Sequence, residues 1–139
     1  MKPSAHKPAY PPALPWLLRL AALIEFVYFS LSHWFAPELF FTNLGIPASE
    51  IASPFVRSQL QLIGVFVAGF SLLNLLIAGD PPRYKAVMAI VLAVGAGAVA
   101  IFIGNVCAGL LPGLFLANAM MLSIQIALVA WMFPWRIRS

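Results

Sequence analysis

Four apolar runs, each long enough to form a helix that crosses a bilayer and each bounded by proline or glycine, leave this 139-residue chain few ways to fold. A helix rises about 1.5 Å per residue, so a run of about 20 residues covers a hydrocarbon layer of about 30 Å. The composition points the same way, with 63% hydrophobic residues, 9% charged residues and a mean hydropathy of +0.97. A soluble domain of this size keeps about a third of its unfolded-chain surface in water, which is too much for a chain so poor in polar residues. The excess apolar surface must face lipid. The expected fold is all-α, an integral membrane four-helix transmembrane bundle forming a single domain over residues 1–139.

Punctuation sets the expected boundaries. The first span covers about 15–36, with Pro15 in its first turn and Pro37 ending it. The second covers 54–78, where Ser53 can cap, Pro54 takes the first helical position and Gly79-Asp80-Pro81-Pro82 stops the helix. The third covers 82–109 with Asp80 as its cap. A tight turn, Leu110-Leu111-Pro112-Gly113, leads into the fourth, 112–133, which ends before Pro134. Tyr10, Trp16, Trp34, Trp131 and Trp135 fall at span ends as interfacial aromatics.

Lys2, Lys7, Arg19, Arg83, Lys85, Arg136 and Arg138 fall on one side of this arrangement, whereas the other holds Arg57 beside Glu38 and Glu50. The positive-inside rule then makes both termini cytoplasmic (N-in/C-in), in a bacterial-type inner membrane. Residues 1–14 read as an extended, Pro-rich cytoplasmic arm, and 37–53 as an outer interfacial loop carrying Phe40, Phe41, Leu44, Ile46 and Ile51 along the membrane surface. The first run is expected to stay attached as a span. It is too long for a signal peptide, contains Arg19 and Glu25, and has no small-residue cleavage site beyond it.

Several chemistries are excluded. Cys107 is the one cysteine, so the chain forms no disulfide, CxxC pair or thiolate cluster within itself, and the thiol reads as a small packing residue. The net charge of +4 lies in small groups between apolar runs rather than in one patch, so no nucleic-acid partner is expected. Nucleophilic triads, P-loops and dinucleotide fingerprints are absent. Bis-histidine haem would need two histidines in the spans, and His6 lies in the arm. His33 instead reads as an interfacial histidine bonded to a backbone carbonyl or to Glu38. No catalytic residue, metal site or cofactor is expected.

Helices approach closely in lipid through small residues and interhelical hydrogen bonds. The third span carries such a stripe at spacings of three and four: Ala89, Ala93, Gly97, Ala100, Gly104 and Ala108. The second carries Arg57, Gln61, Gly64, Ala68 and Ser71, and the first carries Ala21, Glu25, Tyr28 and Ser32. Glu25 is the one acidic residue well inside a span, and leaving it in lipid would cost several kcal/mol. Counting turns from the outer ends puts Glu25 about 16 Å down, Gln61 about 10 Å, Asn118 about 9 Å, Asn105 about 6 Å, and His33 and Arg57 about 5 Å. Asn74 and Gln125 fall outside this outer group. Glu25, Gln61, Asn118 and Asn105 are therefore expected to line one interhelical pocket, with Arg57 and His33 at its mouth. The alternative makes Gln61, Asn105 and Asn118 hydrogen-bond glue between helices, with Arg57 at the headgroups.

Arg19 near the start of the first span, the turn Leu44-Gly45-Ile46-Pro47, and Gly64 with Gly69 in the second span resemble the DoxX-like group of small four-helix bacterial membrane proteins. The third span departs from that pattern, carrying Asn105 where such relatives carry an arginine. The resemblance implies a place beside quinone-linked oxidoreductases. The expected function is thus a non-catalytic accessory subunit of a larger membrane complex, of redox type on that resemblance, with the bilayer and other membrane subunits as partners. The alternative is a binder or carrier of a quinone-like or other amphiphilic ligand, quinone or lipid, in the outer pocket ending at Glu25. A proton-coupled transporter would call for inverted repeats and broken helices, and neither is visible.

Overall fold

The structure, a computed structural model, describes residues 10–135. Most of the Pro-rich arm, with Lys2, His6 and Lys7, and the final Arg136 and Arg138 lie outside the described residues. Every regular element among those described is helical. The first span, Ala13–Phe35, consists of α1 (Ala13–Ile24), a π-helical turn (Glu25–Ser30) and α2 (Leu31–Phe35). Two short helices follow, α3 (Pro37–Asn43) and α4 (Ala48–Ile51), then α5 (Pro54–Gly79), α6 (Lys85–Cys107) and α7 (Phe115–Met132). The first span, α5, α6 and α7 are each long and apolar enough to cross a membrane, which is the make-up of a multi-pass membrane protein.

Local chemistry explains the boundaries. Pro54 opens α5, where its missing N–H costs nothing. Ser53 caps only through its carbonyl, which accepts the Arg57 N–H at 3.0 Å, because its hydroxyl makes no capping bond. At the next turn, α6 starts at Lys85 rather than at Pro82. The Arg83 N–H bonds to the Asp80 carbonyl at 3.2 Å and to its carboxylate at 3.4 Å, holding residues 81–84 in a turn. Gly109, at φ +72°, then ends α6 in a Schellman motif: its N–H bonds to the Val106 carbonyl, and the Leu110 N–H to the Asn105 carbonyl at 2.8 Å.

The bundle is built from two halves, the first span lying along α5 and α6 lying along α7. The first half is joined by hydroxyl-to-carbonyl bonds that bracket the π-helical turn. Ser71 Oγ donates to the Ala22 carbonyl at 2.7 Å, and Ser30 Oγ to the Gly64 carbonyl at 2.9 Å. Gly64 has a steric role here, since a Cβ on it would sit 2.8 Å from the Trp34 ring. That ring is fixed by its own bond, Trp34 Nε1 to the Gln61 carbonyl at 3.1 Å.

Apolar clusters close both ends. At the α5–α6 turn end, Leu14, Leu18, Ile77, Ala78, Met88, Val129 and Phe133 form one core. At the other end, residues 37–53 do not form a loop spread over a surface. They fold into α3 and α4 and bury Phe40, Phe41 and Ile51 against Phe115, because aromatic side chains on a short helix gain more from the bundle end than from the interface. Arg57 pairs with Glu38 at 3.2 Å on the surface of this cap.

The expected packing stripe of α6 is turned the other way. Ala93, Gly97, Ala100 and Gly104 are exposed, and a Cβ on Gly97 or Gly104 would meet nothing within 4 Å. Spacing shows that side chains share a face, but on a helix apolar all round it does not show which face is buried. The contact glycine is Gly95, where a Cβ would lie 3.0 Å from Ile126 of α7. Cys107 is likewise exposed rather than packed.

Candidate functional site

Between the two apolar ends lies a cavity of about 330 Å³ lined by side chains from all four long helices. Its walls are apolar, chiefly Phe29, Val67, Phe70, Phe102, Leu122 and Ile126. Its polar groups are Glu25, His33, Asn74, Asn118 and Gln125.

Glu25 reaches across the bundle to two amides. Asn74 Nδ2 of α5 donates to both carboxyl oxygens, at 3.2 Å to Oε1 and 2.9 Å to Oε2, and Gln125 Nε2 of α7 donates to Oε1 at 3.0 Å. A carboxylate offers about four acceptor positions, so these contacts leave one free on Oε2. Among the described residues no cation pairs with Glu25, the one ion pair being Arg57 with Glu38. His33 also lines the cavity, its ring held between Phe40 and Phe41 at 5.1 Å from each. Its Nδ1 lies 2.6 Å from the Phe29 carbonyl, which only accepts, so Nδ1 carries the proton and Nε2 remains for other contacts. No third His, Cys, Asp or Glu joins this pair in a metal-binding group among the described residues.

Of the expected pocket residues, the structure brings together Glu25, Asn118 and His33 around the cavity. It separates the others. The Gln61 side chain is exposed, and its contact with the first span runs through its backbone carbonyl. Arg57 is engaged on the surface by Glu38, and half-buried Asn105 lies outside the cavity. His33 is not at an open mouth but buried beneath the aromatic cap.

Two physical causes account for these differences. The contacts of Ser71 with Ala22, Ser30 with Gly64 and Trp34 with Gln61 put Gln61 level with Trp34, well above Glu25, so counting from helix ends had taken the ends as level when they are staggered. In the same register Asn74 sits somewhat below Glu25. Side chains on antiparallel helices tilt toward their own N-termini, here toward each other, and this closes the gap. The second cause is the π-helical turn. Its extra residue per turn advances the inward face by one position, from the expected Tyr28 and Ser32 to Phe29 and His33. Asn74 and Gln125, the partners that sequence reasoning set aside, had one available signal: they are the amides within the spans that fall outside the outer group. Compared with known protein families, with characterised proteins and with solved structures, the chain matches none of them.

Proposed function

We propose that the protein is a multi-pass membrane protein that binds a small amphiphilic molecule, quinone-like or lipid-derived, inside its helix bundle, with Glu25 as the polar anchor. One observation carries this reading. An apolar cavity of about 330 Å³, in the range of small-molecule sites, contains a carboxyl held in place by Asn74 and Gln125 with acceptor capacity to spare. Asn118 and His33 supply further polar contacts on the same cavity. On this reading the chain sits in an inner membrane with both termini cytoplasmic, which the position of Arg83 and Lys85 at the α5–α6 turn supports. The test is purification in mild detergent followed by solvent extraction and mass spectrometry. A near-stoichiometric lipophile is expected with the wild-type chain and several-fold less with Glu25→Gln, which keeps the side chain's size and replaces one acceptor oxygen by a donor. Equal recovery from both would remove Glu25 from the site, and no lipophile from either would overturn the reading.

A second reading has its own observation. The outward stripe Ala93, Gly97, Ala100 and Gly104 offers the small-residue surface on which a neighbouring helix packs in a bilayer, which suits a non-catalytic accessory subunit of a larger membrane complex. Stoichiometric larger partners in the same purification, lost on Gly97→Leu, are the expected result for that reading. A lone protomer is the result against it.

A further inference from the structure

Among the described residues, apolar clusters flank the cavity at both ends of the bundle. Phe40, Phe41, Ile51 and Phe115 close one end, and Leu14, Leu18, Ile77, Met88 and Phe133 are among the side chains that close the other. Its side walls are less complete. The first span packs closely on α5 and α6 packs closely on α7, while α5 with α6 and the first span with α7 touch sparsely. Among the side chains that line the cavity, two are also exposed on the outside of the bundle: Ile63 on α5, at 45%, and Val94 on α6, at 46%. Each lies nine residues beyond the first residue of its own helix, and the two helices are antiparallel, so Ile63 lies on the cap side of mid-depth, Val94 on the turn side, and the gap between them spans the middle of the bundle. Glu25 lies further from the cap than Ile63, since Ser30 and Trp34 of the first span are level with Gly64 and Gln61 on either side of Ile63.

Resting on the reading of this cavity as a ligand site, we propose that it is loaded sideways from the hydrocarbon, through the gap between α5 and α6 beside Ile63 and Val94, and that its ligand is a lipid-dissolved molecule presenting a hydroxyl to Glu25. The apolar ends exclude a water-borne, strongly hydrated ligand, because such a molecule would shed its hydration among phenylalanines before reaching a polar group. The mid-depth gap opens where only membrane-dissolved molecules are present. In its carboxylate form Glu25 keeps one acceptor position on Oε2, its other positions being taken by Asn74 and Gln125, and the ligand group that fills it is a donor.

The experiment uses the full chain in lipid nanodiscs and a long-chain alkylphenol carrying a diazirine, with its methyl ether as the donor-free control. Time-resolved photolabelling is read by peptide mass spectrometry. The phenol is expected to label the cavity faces of α5, α6 and α7, with the ether labelling roughly tenfold less because one hydrogen bond is missing. Narrowing the gap with Ile63→Trp and Val94→Trp should slow loading roughly tenfold, and widening it with Ile63→Ala and Val94→Ala should speed it. A retained thermal transition shows that a variant is folded, and either pair is decisive alone. Loading rates unchanged in a folded pair would overturn the lateral route, and equal labelling by phenol and ether would overturn the hydroxyl ligand. Failure of the underlying reading looks different: neither probe labels the cavity, and Glu25→Gln changes nothing.

Discussion

Glu25 keeps its place in an apolar bundle because Asn74 and Gln125 replace the water that its carboxyl gives up. The arrangement is reciprocal, since Asn74 is itself buried at 2% exposure and is satisfied by the same contacts. Removing one partner therefore costs more than the bond alone. Asn74→Leu strips both Asn74 contacts from the carboxyl and is expected to destabilise the fold by about 1–3 kcal/mol, measured by denaturant unfolding in detergent micelles. Adding Glu25→Leu should recover part of that loss, because no unpartnered acidic group then remains. Ser30 and Ser71 have simpler parts, each donating to a carbonyl across the interface between the first span and α5. Their alanine variants should each cost about 0.6 kcal/mol, the average for such bonds within a membrane bundle.

The π-helical turn gives the first span its working phase. It lets one helix present Leu14 and Leu18 to the core at the α5–α6 turn end and then Phe29 and His33 to the cavity and cap. Deleting Val27, which is exposed within the turn, is expected to convert the segment to regular α-helix while keeping both faces inward. Deleting exposed Leu20 from α1 instead rotates everything beyond it by about 100° and should abolish the cooperative thermal transition. Equal damage from both deletions would mean that the turn does not set the phase. The glycines divide in the same way. Gly64→Leu, directed at the Trp34 ring, should cost about 1–3 kcal/mol by overpacking, whereas Gly97→Leu should leave the stability of the isolated chain close to wild type.

The two halves of the bundle meet at capped ends around a cavity, and the α5–α6 turn lies opposite the α3–α4 cap. That alternation makes the orientation testable. In a Cys107→Ala background, Ala48→Cys on the cap should react with an impermeant thiol reagent added outside intact cells, and Pro82→Cys in the turn should react only after the membrane is opened. The reverse pattern would invert the orientation. It would leave the internal site unchanged, because the Glu25 contacts do not depend on which face is outside.

Four helices long and apolar enough to span a membrane, their ends within a few residues and the singular standing of Glu25 were all legible in the chain. Each follows from local rules: apolar run length, proline and glycine punctuation, and the cost of an ionisable group in an apolar run. The partners of Glu25 were not legible, because the vertical stagger between neighbouring helices is set by contacts such as Trp34 with Gln61 and Ser30 with Gly64, which no single segment encodes. The inward side of α6 was hidden for a related reason: a helix apolar on every side shows no preference until a neighbour with the right bulk, here Ile126 against Gly95, takes one face. The one-residue advance from Tyr28 and Ser32 to Phe29 and His33 also belongs to the assembled bundle. A regular 3.6-residue period assigns those positions wrongly, and only packing against α5 and the aromatic cap selects the wider turn.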